Sequence, residues 1–142
     1  MDAVWQLLYR SEQAYEMDHA DLVKLLFDAR AFNREHAITG LLLHHGVHFM
    51  QLLEGDRDQV RALYRRILSD ARHRDVVMEH EGPSSQRLFP EWTMGYAEAP
   101  EIAGRSALSG VENERGALQS LHDLSRPNAC AARLLQFIQS EV

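Results

Sequence analysis

Two apolar runs, Ala37 to His44 and Val47 to Glu54, are separated only by His45-Gly46. A two-residue link with glycine second suits a tight hairpin turn. Both runs are apolar at nearly every position rather than at alternate ones. A strand that faced water on one side would alternate, so this hairpin belongs to a sheet covered on both faces. The chain must therefore supply two layers of cover.

The flanking segments supply them. Ala3 to Arg10 reads as a strand, with Trp5, Leu7 and Tyr9 alternating with Gln6, Leu8 and Arg10. Asp18 is placed to cap a helix in which Leu22, Leu25, Leu26 and Ala29 share one face, and Asn33 extends that face one turn further. The helix should end near Arg34. After Gly55, Asp56 and Gln59 form a capping box before Val60, Leu63, Tyr64, Ile67 and Leu68. Arg57, Asp58, Arg61, Arg65 and Arg66 fill the other side of that helix and read as a solvated face. Asp75 to His80 is a weakly signalled fourth strand and Trp92 to Ala97 a fifth, with Gly82 and Pro83 in the loop between them.

The order is β-α-β-β-α-β-β. Its first six elements match an α+β, ferredoxin-like arrangement, an antiparallel sheet with two helices on one face. Pro100 to Gly110 reads as a linker. Two short helices follow, one with Ala117, Leu118, Leu121 and Leu124. The other has Ser125 as cap, Pro127 in its first turn, and Leu134, Leu135 and Ile138 along it. These C-terminal helices are read as cover for the second sheet face, too short to form a separate output domain. The division expected is residues 1–98 as the main domain and 99–142 as linker and capping helices. No internal repeat or low-complexity segment is evident.

Length and composition fit one domain: 142 residues, 45% hydrophobic, 25% charged. A net charge of −6 counts against direct nucleic-acid binding, which usually needs a basic face. One cysteine, Cys130, excludes an internal disulfide and a cysteine-only metal site. No apolar stretch reaches the roughly 18 to 20 residues of a membrane span. Met1-Asp2-Ala3-Val4 begins no export signal, so a cytoplasmic location is expected.

Three polar residues sit where the pattern wants hydrocarbon. Gln51 shares a strand face with Val47, Phe49 and Leu53, Asn33 lies on the apolar helix face, and Tyr9 aligns with Trp5 and Leu7. A buried amide or hydroxyl left unpaired costs about 1 to 3 kcal/mol. Each must bond to nearby backbone, to water or to a ligand, and the pattern leaves those alternatives open. His44, His45 and His48 do not suggest a metal site, because neighbours on a strand point to opposite faces and the turn separates the third. No G-x-S-x-G elbow, Walker loop or G-x-G-x-x-G occurs, and no carboxylate pair stands out. The residues alone thus lead to a ligand-binding α/β domain. An acylphosphatase-like hydrolase, a flavin reductase and an RNA-binding module remain as alternatives on such a scaffold. The first lacks a phosphate-binding cluster of arginine and amides, and the last lacks exposed aromatics beside basic residues.

Longer segments go further. Leu7-Leu8-Tyr9-Arg10-Ser11, Asn33-Arg34-Glu35-His36-Ala37-Ile38-Thr39-Gly40, Gly46 to Gly55, Asp70-Ala71-Arg72-His73 and Phe89-Pro90-Glu91-Trp92-Thr93-Met94-Gly95 occur in one order without gaps. Together, from about Val4 to Ala97, they resemble the BLUF family, blue-light sensors that use flavin adenine dinucleotide (FAD). The resemblance implies a photoreceptor rather than an enzyme. Its cofactor is FAD, bound non-covalently between the two helices, and its output is protein contact with a downstream partner. It also implies self-association. Residue by residue, Tyr9 matches the electron-donating tyrosine and Gln51 the glutamine between that tyrosine and the ring. Asn33 matches the asparagine at the ring's polar edge, and Arg72 and His73 match residues beside the cofactor. Trp92 and Met94 match final-strand positions that carry the signal. Leu22, Leu25 and Ile67 are expected against the ring faces, with Phe32 beside them. Two positions depart from the family: Phe32 replaces a common polar residue, and Ala37 replaces a common glycine.

Overall fold

The computed structural model describes residues 4–98 and 116–139. In chain order the elements are β1 (Val4–Gln13), α1 (His19–Glu35), β2 (Thr39–His45), β3 (His48–Gly55), α2 (Arg57–Leu68), β4 (His73–Ser84), β5 (Gly95–Glu98), α3 (Ala117–Leu124) and α4 (Ala129–Gln139). The linker expected at Pro100 to Gly110, and with it the domain boundary after residue 98, lies at or outside the limit of the described residues. No helix among the described residues is long and apolar enough to cross a membrane.

One sheet with strand order β4-β1-β3-β2-β5 organises the chain. The first four strands pair antiparallel in the ferredoxin-like order. The fifth strand is where expected but starts three residues later than Trp92. It is parallel to β2, so the sheet is mixed, and it spans only Gly95–Glu98. Trp92 and Met94 therefore lie on the approach to the strand rather than on it. The cause is topological. β4 ends at one edge of the sheet and β5 joins the other, so the chain must first cross over. Its arrival is pinned where the Gly40 amide donates to the Trp92 carbonyl at 3.0 Å. The Trp92 ring then packs over Gly95, where an added Cβ would lie 2.8 Å from Cε3.

The hairpin turn is displaced by one residue from the expected His45-Gly46. His45 pairs with His48, leaving Gly46-Val47 as the turn. Gly46 has φ 62, the left-handed geometry that glycine supplies at least cost. Both expected N-caps of the sensor half hold. Asp18 accepts from the Asp21 amide, and Asp56 from those of Asp58 and Gln59. The second C-terminal helix starts later than expected. Asn128, not Ser125, caps it by accepting from the Ala131 amide at 3.1 Å, while Ser125 closes α3.

Two apolar clusters sandwich the sheet. Leu22, Leu25 and Leu26 of α1 and Val60, Leu63 and Ile67 of α2 pack on Leu7, Tyr9, Leu42, Phe49 and Leu53. On the other face, Ala117 and Leu121 of α3 and Cys130, Ala131, Leu134 and Ile138 of α4 cover Leu8, Leu41, Leu43, Met50 and Leu52. Both faces of the hairpin are buried, as its continuous apolar runs require. β4 reads weakly because it is an edge strand with most of its side chains exposed or half-exposed.

Candidate functional site

A cavity of about 500 Å³ opens between α1 and α2, a size suited to a cofactor. Its floor is the sheet, through Tyr9, Leu42 and Gln51. Leu25, Ala29, Phe32 and Asn33 of α1 form one wall, and Leu63 and Ile67 of α2 form the other. Arg72 and His73 close it from the start of β4. Of the nine residues expected against the cofactor, eight line this one cavity: Tyr9, Leu25, Phe32, Asn33, Gln51, Ile67, Arg72 and His73. Leu22 instead packs within the core below. The three out-of-pattern polar residues all line it.

Local geometry brings them there. Tyr9 and Gln51 are directly opposite in the β1–β3 ladder, where side chains on one face approach closely. Against β4, the ladder of β1 is irregular between Leu8 and Tyr9, the kind of bulge that re-aims a side chain. The Tyr9 hydroxyl donates to Gln51 Oε1. Gln51 Nε2 donates to Met94 Sδ at 3.1 Å. Asn33 Nδ2 donates to the Thr93 carbonyl at 2.6 Å, while its buried Oδ1 has no partner among the described residues. Tyr9 is wholly buried, and desolvation pushes its phenol well above the ordinary tyrosine range. Its ring tilts against Tyr64 with centroids 5.7 Å apart and meets the His73 edge at 6.4 Å. His73 Nδ1 lies 3.0 Å from Ser11 Oγ, and burial lowers the imidazole's pKa.

The mouth is polar. Asp70 grips Arg72 through two carboxylate oxygens, the closer contact being 2.8 Å, and Asp28 adds a third anchor at 3.2 Å. Those hydrogen bonds hold the Asp70 carboxyl below the usual carboxylate range. Arg65 and Arg66, read from sequence as part of a solvated face, also line the cavity. The Arg66 guanidinium sits 4.4 Å from the Phe32 ring centroid, and Phe32 stacks on His36 at 4.0 Å. The signal for Arg66 was its helical spacing from Leu63, one turn earlier on the cavity side.

Met94 is buried beside Gln51 in the core on the cavity side of the sheet, whereas Trp92 is on the far side, stacked on Phe89 at 5.1 Å and 10°. The two expected signal-coupling residues are therefore not together. The three hairpin histidines diverge: His44 reaches Tyr96 and Gln13, His45 meets Phe137 of α4, and His48 faces Glu12.

The comparisons agree with this geometry. A family model described as "BLUF: Sensors of blue-light using FAD" matches residues 4–95. The Photoactivated adenylate cyclase subunit beta of Euglena gracilis is 40% identical over 106 residues, 74% of this chain but 12% of that protein. The Blue light- and temperature-regulated antirepressor BluF of Escherichia coli K12 is 38% identical over 71 residues, covering 50% of this chain and 18% of its own. This chain thus spans a small fraction of the curated relatives it matches. By contrast, the dark-state structure of BlrB, a BLUF protein, superposes over 97% of this chain and 96% of its own, with TM-score 0.70 and 33% identity.

Proposed function

Since this chain belongs to the BLUF family, the sensors of blue light using FAD, we propose that it is a photoreceptor whose switch is the Gln51 amide between Tyr9 and Met94. The observation that carries the reading is a chain of contacts. The Tyr9 hydroxyl donates to Gln51 Oε1, and Gln51 Nε2 donates to Met94 Sδ. Beside it, in the lining of the same cavity, Asn33 has a buried oxygen with no partner among the described residues. A buried acceptor without a donor calls for a ligand N–H, and the polar edge of a flavin ring offers one. Leu25, Leu63 and Ile67 match its apolar faces, so the cavity fits the family's cofactor.

FAD held there would supply a blue-light-absorbing ring that is a stronger oxidant when excited. Tyr9 is the phenol placed to give an electron to it, and its proton lies against Gln51 Oε1, which can take it. Electron and proton then return to Tyr9, and Gln51 is left with its ends exchanged, by rotation or by tautomerisation. After rotation, Nε2 donates to Tyr9 and Oε1 faces Met94 Sδ. Oxygen and thioether sulfur are both acceptors, so the Met94 contact is lost. No covalent bond is made, and the change reverses in darkness. Gln51→Leu should keep the yellow cofactor and lose the reversible red shift of its absorption band. A normal reversible shift in Gln51→Leu would overturn this switch.

The output reaches a protein partner in the cytoplasm, the chain self-associates, and it catalyses no reaction of its own. Residues 1–98 are the sensing domain, and α3 and α4 of the C-terminal part cap the sheet. The flavin-reductase alternative is tested by turnover of reduced nicotinamide, which should be absent.

A further inference from the structure

We propose that Glu54 is the positioning residue through which a change at Gln51 and Met94 is delivered to the C-terminal helices. This rests on the sensor reading above. Glu54 and Gln51 are three residues apart on β3, an odd spacing that sends their side chains to opposite faces of the sheet. Glu54 is fully buried. Its Oε2 accepts from Gln6 Nε2 at 2.8 Å and from the Leu88 amide at 2.7 Å, and its Oε1 accepts from the Phe89 amide at 2.9 Å. Arg87 reinforces the clamp, donating to the Glu54 carbonyl at 3.1 Å, to Thr39 Oγ1 at 2.8 Å and to the Ala37 carbonyl at 2.7 Å.

The segment from Arg87 to Met94 is therefore held to β3 at both ends. On the cavity face Gln51 holds the Met94 thioether, while Arg30 and Asn33 donate to the Met94 and Thr93 carbonyls at 3.0 and 2.6 Å and Gly40 to the Trp92 carbonyl at 3.0 Å. On the other face Glu54 holds Leu88 and Phe89. Along the segment lies the Phe89–Trp92 stack, packed in the same cluster as Ala117, Leu121, Cys130 and Leu134. With the backbone pinned at Phe89 and from Trp92 to Met94, loss of the Gln51–Met94 contact leaves side chains free to shift, and the shift falls on that stack and presses it on α3 and α4. With Glu54 unable to hold Phe89, the whole segment relaxes and the push is dissipated.

Cys130 is the chain's one cysteine. It is buried, its thiol pushed up to about 11, so its labelling requires α4 to open. The experiment compares maleimide labelling of Cys130 in darkness and under blue light, in FAD-loaded protein, alongside the absorption shift. Wild type should label about fivefold faster in light, the low end of ordinary coupling between sites. Glu54→Gln is nearly isosteric but turns an N–H toward a backbone N–H. It should keep the full red shift while its light-to-dark labelling ratio falls to about one. Arg87→Met, which leaves the carboxylate in place, should give an intermediate ratio, and it decides the matter if Glu54→Gln does not fold. A wild-type ratio in Glu54→Gln, or in Arg87→Met when that variant decides, overturns the proposal and leaves the sensor standing. Equal labelling of wild type in both states overturns it too. A wild type with no red shift overturns the sensor reading and this proposal with it.

Discussion

Ala37 joins α1 to β2 at φ 54, where its Cβ crowds the following carbonyl. That conformation costs an L-residue about 1 to 2 kcal/mol. Glycine avoids the cost but surrenders about 0.5 to 1 kcal/mol in unfolded-chain entropy. The Ala37 side chain is exposed, so removing its methyl forfeits little burial. The balance favours Ala37→Gly by about 0.5 to 1 kcal/mol. With a urea dependence near 2 kcal/mol/M, the unfolding midpoint should rise by about 0.3 to 0.5 M.

The same chemical change elsewhere supplies the control. Ala31 is exposed in the interior of α1, so Ala31→Gly should lose about 0.5 to 1 kcal/mol. Neither residue lines the cavity, so bound cofactor adds equally to both variants. Urea unfolding followed by far-UV circular dichroism, with unchanged slope, reads the two midpoints. Opposite signs are expected, and a fall in both would refute the assignment of strain to Ala37.

Three further outcomes follow from the site and the core. Burial lowers the His73 pKa, so the unfolded chain takes up the proton first. Its contribution is present above the ordinary histidine pKa and lost as pH falls below it, at up to about 1.4 kcal/mol per pH unit. Urea midpoints between pH 7.5 and 5.5 should therefore fall less steeply in His73→Gln. Arg65 and Arg66 are exposed at the cavity mouth and in none of the ion pairs among the described residues. The double change to glutamine should weaken FAD and FMN by about two- to tenfold and leave riboflavin unaffected in fluorescence titrations. Leu134 is wholly buried under the sheet, so Leu134→Ala should cost about 2 to 5 kcal/mol in thermal or urea unfolding. A cost below about 1 kcal/mol would show that α4 is not part of the cooperative core.

The fold was legible where local pattern and long-range packing agree. The two apolar runs required cover on both faces, and α1, α2, α3 and α4 provide it. α2 carried a cap and a clean apolar stripe, and it forms within one residue of that reading. The fifth strand was read three residues too early at its start, and no partner was assigned to it, because that partner is set from a distance. Nothing local distinguishes a strand that pairs parallel with β2 from one that extends the meander, and Trp92 to Ala97 has the composition of either. The C-terminal cap was misread for a smaller reason. Ser125, Pro127 and Asn128 all favour a helix start, and only the Asn128 oxygen reaches an amide of α4.

The candidate site shows the same division on a single strand. Gln51 stood out because an amide interrupts a run of hydrocarbon, a contradiction visible without the fold. Glu54 did not, because it stands at the strand end before Gly55 and the Asp56 cap, where a carboxylate ordinarily meets water. Its burial is created by residues 87–89, more than thirty positions later in the chain, laid across it by the crossover to β5. A charged group is buried this completely only where donors compensate its desolvation. Here those donors are the amides of the segment that ends at Met94. The strand thus presents a neutral, reorientable group to the cavity and a fixed, fully bonded one to the opposite face. A switch needs both, because an amide that turns moves nothing unless the segment it releases is held elsewhere.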